Sequence, residues 1–183
     1  MDTNRLSKKM AAALNDQVTE EANAAQIYLS YGAWAAGEGY NGIARFLFRH
    51  AEEERNHMMK VLEYIIKRGA AVKIAAIAAP PENPNHISSC FAKVYEHEVN
   101  NTKLIYAIVK KSMEEEDWAT WNFLQWFVKE QVEEETFAMN LLDKVKLAGS
   151  EKSGSNAFYL LDREMESATG EVTSATDVTA VNP

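Results

Sequence analysis

Residues 42 to 68 read GIARFLFRHAEEERNHMMKVLEYIIKR, and the spacing within them decides the fold. Ile43, Leu47, His50, Glu54, His57, Val61 and Tyr64 follow one another by fours and threes, the steps that keep residues on one face of a helix. That face is apolar at both ends and ionisable in the middle. Three further stripes repeat the pattern: Leu14, Val18, Glu21, Ala25, Tyr28 and Gly32; then Phe91, Glu98, Ile105 and Ser112 at sevens; then Leu124, Phe127, Gln131, Glu134, Ala138, Leu141 and Val145. Each predicts a helix whose core face carries an acid where a leucine would normally stand. Burying a lone carboxylate costs several kcal/mol even after relaxation, and four acids on converging faces also repel one another. The stripes therefore predict a cation between them.

Composition narrows the setting. A chain of 183 residues, 46% hydrophobic and 25% charged, suits one globular domain with a sizeable core. The net charge of -8 argues against nucleic acid or an anionic membrane as partner and is compatible with drawing in metal cations. No stretch is long and apolar enough to span a bilayer. Cys90 is the single cysteine, so no internal disulfide forms, and residues 1 to 30 contain no apolar signal core. A reducing, cytoplasmic location is expected, and Cys90 reads as a small buried hydrophobe.

The helices follow from their punctuation. Residues 5 to 36 read as a first helix, stopped by the Gly37, Gly39, Gly42 cluster; residues 42 to 68 form a second, ending at Gly69. So short a link makes the pair antiparallel. Residues 70 to 88 carry Pro80, Pro81 and Pro84 and read as a long connection, with only weak helical character at the Ala-rich 75 to 79. Helices at 89 to 115 and 118 to 147 form a second antiparallel pair. The second helix is roughly 40 Å long at about 1.5 Å per residue, and the extended connection reaches up to roughly 60 Å. It can return along the whole bundle, so the second and third helices run parallel. The expected fold is all-α, a four-helix bundle with one long crossover and a short fifth helix at 155 to 166, where Phe158, Leu161 and Met165 share a face. Residues 1 to 167 read as one domain and 168 to 183 as a disordered Ser/Thr/Ala-rich tail.

Glu54-Arg55-Asn56-His57 places a carboxylate and an imidazole on one helical turn, able to hold one metal ion. With Glu21, Glu98 and Glu134 on the other stripes, the set is oxygen-rich with an imidazole, a composition that suits iron or manganese better than thiolate-seeking metals. Glu54 is the natural bridging ligand. Glu130, Glu133 and Glu134 form one acidic patch at i, i+3 and i+4, which Glu53 can complete from the facing helix. His50 and His97 read as histidines that hydrogen-bond behind the ligands or pack in the core. His86 reads as an exposed loop residue, and the four tryptophans as packing.

At these residues the chain resembles the ferritins, over roughly 5 to 166 and most closely the haem-free bacterial type. The resemblance is carried by Glu21 to Tyr28, by Arg49-His50-Ala51-Glu52-Glu53-Glu54-Arg55-Asn56-His57, by Tyr95-Glu96-His97-Glu98, and by Asn122-Phe123-Leu124-Gln125-Trp126 with Glu130-Gln131-Val132-Glu133-Glu134. It implies a ferritin-like bundle in which Glu21, Glu54 and His57 hold a first iron, and Glu54, Glu98 and Glu134 a second, with Gln131 close by. It further implies that Tyr28 lies beside the di-iron centre, that Glu53, Glu130, Glu133 and Glu134 form a third iron site, and that 24 copies assemble into a hollow shell.

Departures from the pattern sharpen the expectation. Related di-iron oxidases and bacterioferritins repeat the E-x-x-H on the fourth helix, whereas here Phe137 follows Glu134 by three residues, so the second iron loses an imidazole. Bacterioferritins place a haem-ligating methionine where Arg55 stands, so no haem is expected. Asn56 and Met59 replace nucleating acids of animal heavy chains, and Asn122 and Gln125 replace their channel acids. The reading is an iron-storage ferroxidase that oxidises Fe(II) with dioxygen or peroxide and stores ferric oxyhydroxide. Its rivals are a di-iron oxidase or peroxidase with fixed metals, and a non-catalytic bundle.

Overall fold

In the computed structural model, residues 3–149 and 156–167 are described, and among them five helices and no strands occur: α1 (Lys8–Gly37), α2 (Asn41–Lys67), α3 (Ile87–Glu114), α4 (Trp118–Ala148) and α5 (Ala157–Ser167). The tail expected to be disordered lies outside these residues. Ser7 caps α1 by accepting from the Met10 N–H at 3.0 Å, and Asp117 caps α4 by accepting from the Thr120 N–H at 3.1 Å. Each thereby satisfies a donor that the helix itself cannot.

Two apolar clusters fix the helix directions. One gathers Tyr28, Tyr31 and Ala35 from the end of α1, Ile43 to Ala51 from the start of α2, Ile87 to Val94 from the start of α3, Ala138 to Val145 from the end of α4, and Phe158, Leu161 and Met165 of α5. The other gathers the opposite ends: Met10, Leu14 and Val18, then Val61 and Ile65, Ile105 and Ile108, Leu124 and Phe127. Hence α1 and α2 are antiparallel, as are α3 and α4, and α2 runs parallel to α3. The crossover is as long as the sequence requires. Between the clusters lies a waist, and the four acids sit there.

The connection between α2 and α3 has no helix. Asn15 Oδ1 accepts from the Lys73 N–H at 2.6 Å, Asn15 Nδ2 donates to the Ala71 carbonyl at 3.2 Å, and Asn23 Oδ1 accepts from the Ala78 N–H at 3.0 Å. These side chains of α1 take the backbone groups a helix would have used, and Pro80 and Pro81 bar continuation. The weak helical character expected at 75 to 79 is thus overridden.

Gly42, read both in the glycine cluster after the first helix and as the first residue of the second, lies in the first turn of α2, where a Cβ would come within 1.8 Å of the Asp162 carbonyl. Its bare backbone lets α5 press against α2, while Asp162 Oδ1 accepts from the Ile43 N–H at 2.9 Å. Gly69 does end a helix: its φ is +75°, and a Cβ would meet the Thr3 carbonyl at 2.4 Å.

Candidate metal centre

Every stripe turns its acid inward. Glu21, Glu54, Glu98 and Glu134 are all buried, as are His57, Tyr28 and Gln131. Ligand-type atoms of Glu21, Glu54 and His57 lie within 4.8 Å of one another, and His57 Nδ1 is 3.3 Å from Glu54 Oε2. Tyr28 Oη donates a very short hydrogen bond to Glu98 Oε1. Gln131 Nε2 donates to Glu98 Oε2 at 3.4 Å. Residues from four helices thus converge on one small volume.

The electrostatics show what such a volume demands. Burial first, then the neighbouring Glu54 carboxylate, holds the Glu21 carboxyl well above the usual range. Glu54 is raised well above it by burial and then by Glu98. Glu134 is pushed up to about 9, again by burial and then by Glu98, Glu53, Glu130 and Glu21. Burial, followed by Glu98, also raises Tyr28. At about 9 Glu134 keeps its proton at neutral pH, Glu21 and Glu54 are pushed the same way, and a divalent cation that takes the place of protons removes both the desolvation cost and the repulsion. Hard oxygen donors with one imidazole fit a ferrous or ferric ion.

Beyond the waist, the acidic patch divides. Glu53, His57 and Glu130 offer ligand atoms within 4.8 Å of one another, and so do His50, Glu53 and Glu134. Glu53 and Glu130 are half-buried, and burial raises both carboxyls. Glu133 joins neither group. It is exposed and lies 3.4 Å from Lys129 Nζ, one turn back along α4.

Two histidines set aside in the sequence stand among these acids. His50 Nδ1 lies 3.4 Å from Glu53 Oε2 and 3.8 Å from Glu134 Oε2. Its imidazole is held neutral, pushed down to about 3 by burial and then by Arg49, so these contacts are not ion pairs. The ring stacks on Tyr28 at 5.5 Å between centroids. His97 offers a ligand atom within 4.8 Å of Glu54 and Glu98, and its buried Nε2 has no hydrogen-bond partner. The imidazole that Phe137 denies to α4 has a neighbour on α3. His97 precedes Glu98 directly, and the adjacency of two potential ligands was the available signal.

Gln17, Asn101 and Thr102, also buried, bond around Glu21, Glu98 and Gln131. Gln17 and Asn101 stand one turn from Glu21 and Glu98, the only trace they leave in the sequence. Trp126 meets His57 edge-on at 5.3 Å and carries Lys60 Nζ 3.9 Å above its ring, whereas Trp118 is exposed rather than packed. Cys90 is buried and its thiol pushed up to about 12 by burial, which makes it unreactive.

A ferritin-like domain model matches residues 11–148, and the chain belongs to that family. A bacterial non-heme ferritin of Campylobacter jejuni is 37% identical over 158 residues, covering 86% of this chain and 93% of that relative. A bacterial non-heme ferritin of Staphylococcus aureus is 35% identical over 164 residues, covering 90% and 97%. The solved open-pore ferritin of the hyperthermophilic archaeon Archaeoglobus fulgidus superposes with a TM-score of 0.85 at 40% identity, covering 88% of this chain and 98% of that one.

Proposed function

We propose that the protein is an iron-storage ferroxidase, with Fe(II) as substrate and dioxygen or peroxide as oxidant. The observation that carries this reading is the buried waist, where Glu21, Glu54, Glu98 and Glu134 meet His57, four acids and an imidazole from four helices whose burial and mutual repulsion a cation relieves. Glu54 bridges two ions, Glu21 and His57 complete the first position, and Glu98 and Glu134 complete the second beside Gln131. Two Fe(II) ions release two electrons, enough with two protons to take one dioxygen to hydrogen peroxide. Carboxyls that lose protons as iron enters supply protons locally. With a third Fe(II) giving one electron and Tyr28, hydrogen-bonded to Glu98, placed to give a fourth, four electrons and four protons take dioxygen to two waters. Glu53 and Glu130, with Glu134, form a third position through which iron leaves for storage; Glu133, turned to solvent beside Lys129, stands outside it.

Family membership supports a hollow homo-24-mer holding ferric oxyhydroxide, located in the cytoplasm, with no haem because Arg55 stands where a haem-ligating methionine would. No described helix is long and apolar enough to cross a membrane. Aerobic addition of Fe(II) tests the reading. A storage ferroxidase consumes oxygen and takes up many irons per subunit in a particle of shell size. Absence of Fe(II) oxidation with both dioxygen and hydrogen peroxide would reject it.

One observation favours a second reading. His97 beside Glu54 and Glu98 can give the second ion a nitrogen ligand, and a tighter second ion is what an oxidase with fixed metals needs. The same iron addition separates them, because an oxidase stops at two irons per subunit.

A further inference from the structure

Three buried amides link the two ion positions by a route that does not pass through Glu54. Gln17 Nε2 donates to Glu21 Oε1 and to Asn101 Oδ1, both at 2.8 Å. Asn101 Nδ2 donates to Gln131 Oε1 at 3.3 Å and reaches Glu21 Oε2 at 3.5 Å. Gln131 Nε2 donates to Glu98 Oε2 at 3.4 Å and to Thr102 Oγ1 at 3.3 Å. Gln17, Asn101 and Gln131 come from α1, α3 and α4 and are nearly inaccessible to solvent, at 2%, 4% and 1% exposed.

The chain has one sense. Once an ion has replaced the protons, the carboxylates at both ends accept only, so each amide must turn its NH2 towards a carboxylate or the next oxygen. Flipping Asn101 would set its oxygen against Glu21 and its NH2 against that of Gln17. With water excluded, no outside partner competes, and a buried network of this kind rigidifies what it touches. Both Glu21 oxygens are held by amide donors, which leaves defined lone pairs for an ion.

We infer that Gln17 and Asn101 are positioning residues that couple the two ion positions, so that an ion drawing on Glu21 orders Asn101, Gln131 and Glu98 for the next. Neither residue is placed on an ion itself. The inference rests on the proposed reading that Glu21 and Glu98 face two different ions. In that reading Glu54 is the direct link and the amides are the indirect one.

Co(II), which binds without turnover and reports its ligand field in visible absorption, tests this in the full-length protein under nitrogen. The wild type is expected to take two Co(II) per subunit in two steps, each with its own absorption. Asn101→Leu, close in shape but without donors, is expected to weaken the second ion on the order of tenfold and change its absorption. Gln17→Met, which removes the donor to both Glu21 and Asn101, is expected to weaken the first ion and, through Asn101, to change the second absorption less than Asn101→Leu does. Thermal unfolding and particle size check that each variant folds; if Asn101→Leu does not, Asn101→Ser takes its place with the same expectations. Unchanged coupling and spectra in the folded Asn101 variant would overturn the relay while leaving the ferroxidase reading intact. A wild type that binds fewer than two Co(II) would overturn both.

Discussion

Glu53 and Glu54 are neighbours in the chain, as are Glu133 and Glu134, yet each pair is split between two environments. Consecutive helical residues point about 100° apart, so one acid of each pair enters the waist and the other faces the rim. In the waist Glu54 and Glu134 are buried and hold protons far above the usual carboxylate range. At the rim Glu53 is half-buried and raised less steeply, and Glu133 is exposed beside Lys129. The same side chain is therefore buried and proton-holding in one place and turned to solvent in the other. Desolvation makes the difference, and under the proposed function it suits the waist to oxidation and the rim to passing iron on.

The comparison breaks most visibly at Glu54. Glu54→Ala removes the group proposed to be shared by both ion positions, and stopped-flow oxidation of Fe(II) is expected to lose its fast phase by at least about 100-fold, since even supporting residues behind metal ligands are worth about 10- to 100-fold. An unchanged initial rate would show that the waist is not where oxidation begins.

Proton linkage sharpens it next. Glu134 titrates near 9 in the folded, metal-free protein against about 4.5 for an ordinary carboxyl. The folded state thus binds the extra proton between these values, and the stabilisation is lost as pH rises through 9. Glu21 and Glu54 shift in the same direction. His50, lowered from 6.5 to about 3, destabilises the fold as pH falls below 6.5, so the clean window runs from about 6.5 to 9. Metal-free protein should show a falling Tm across it, and saturating Co(II) should flatten the trend. A metal-free Tm that stays level would mean the waist carboxyls are not holding protons.

Rim substitutions are smaller in effect. Glu130→Ala should leave the initial oxidation rate within about twofold, because Glu130 lies outside the waist, yet change the oxygen consumed per iron; oxygen-electrode stoichiometry identical to wild type would remove Glu130 from the path. Glu133→Ala should be the mildest. Its exposed pair with Lys129 is worth under about 0.5 kcal/mol, so a shift in Tm of more than a degree or two would contradict its solvated character.

The helices, their pairing and the crossover were legible in the chain because each depends on local order: threes and fours for the faces, the glycines after residue 36 and Gly69 for stops, and enough residues between α2 and α3 to span the bundle. The waist acids were legible for the same reason, since a carboxylate on an apolar stripe needs no partner to be conspicuous. Where Gly42 serves, how His97 meets Glu54 and Glu98, why Asn15 and Asn23 hold the crossover extended, and how Gln17, Asn101 and Gln131 join were settled by tertiary packing alone. Each of these joins residues far apart in the chain. Periodicity reports which side of its own helix a residue occupies; which atoms it meets there depends on how the helices come to rest against one another.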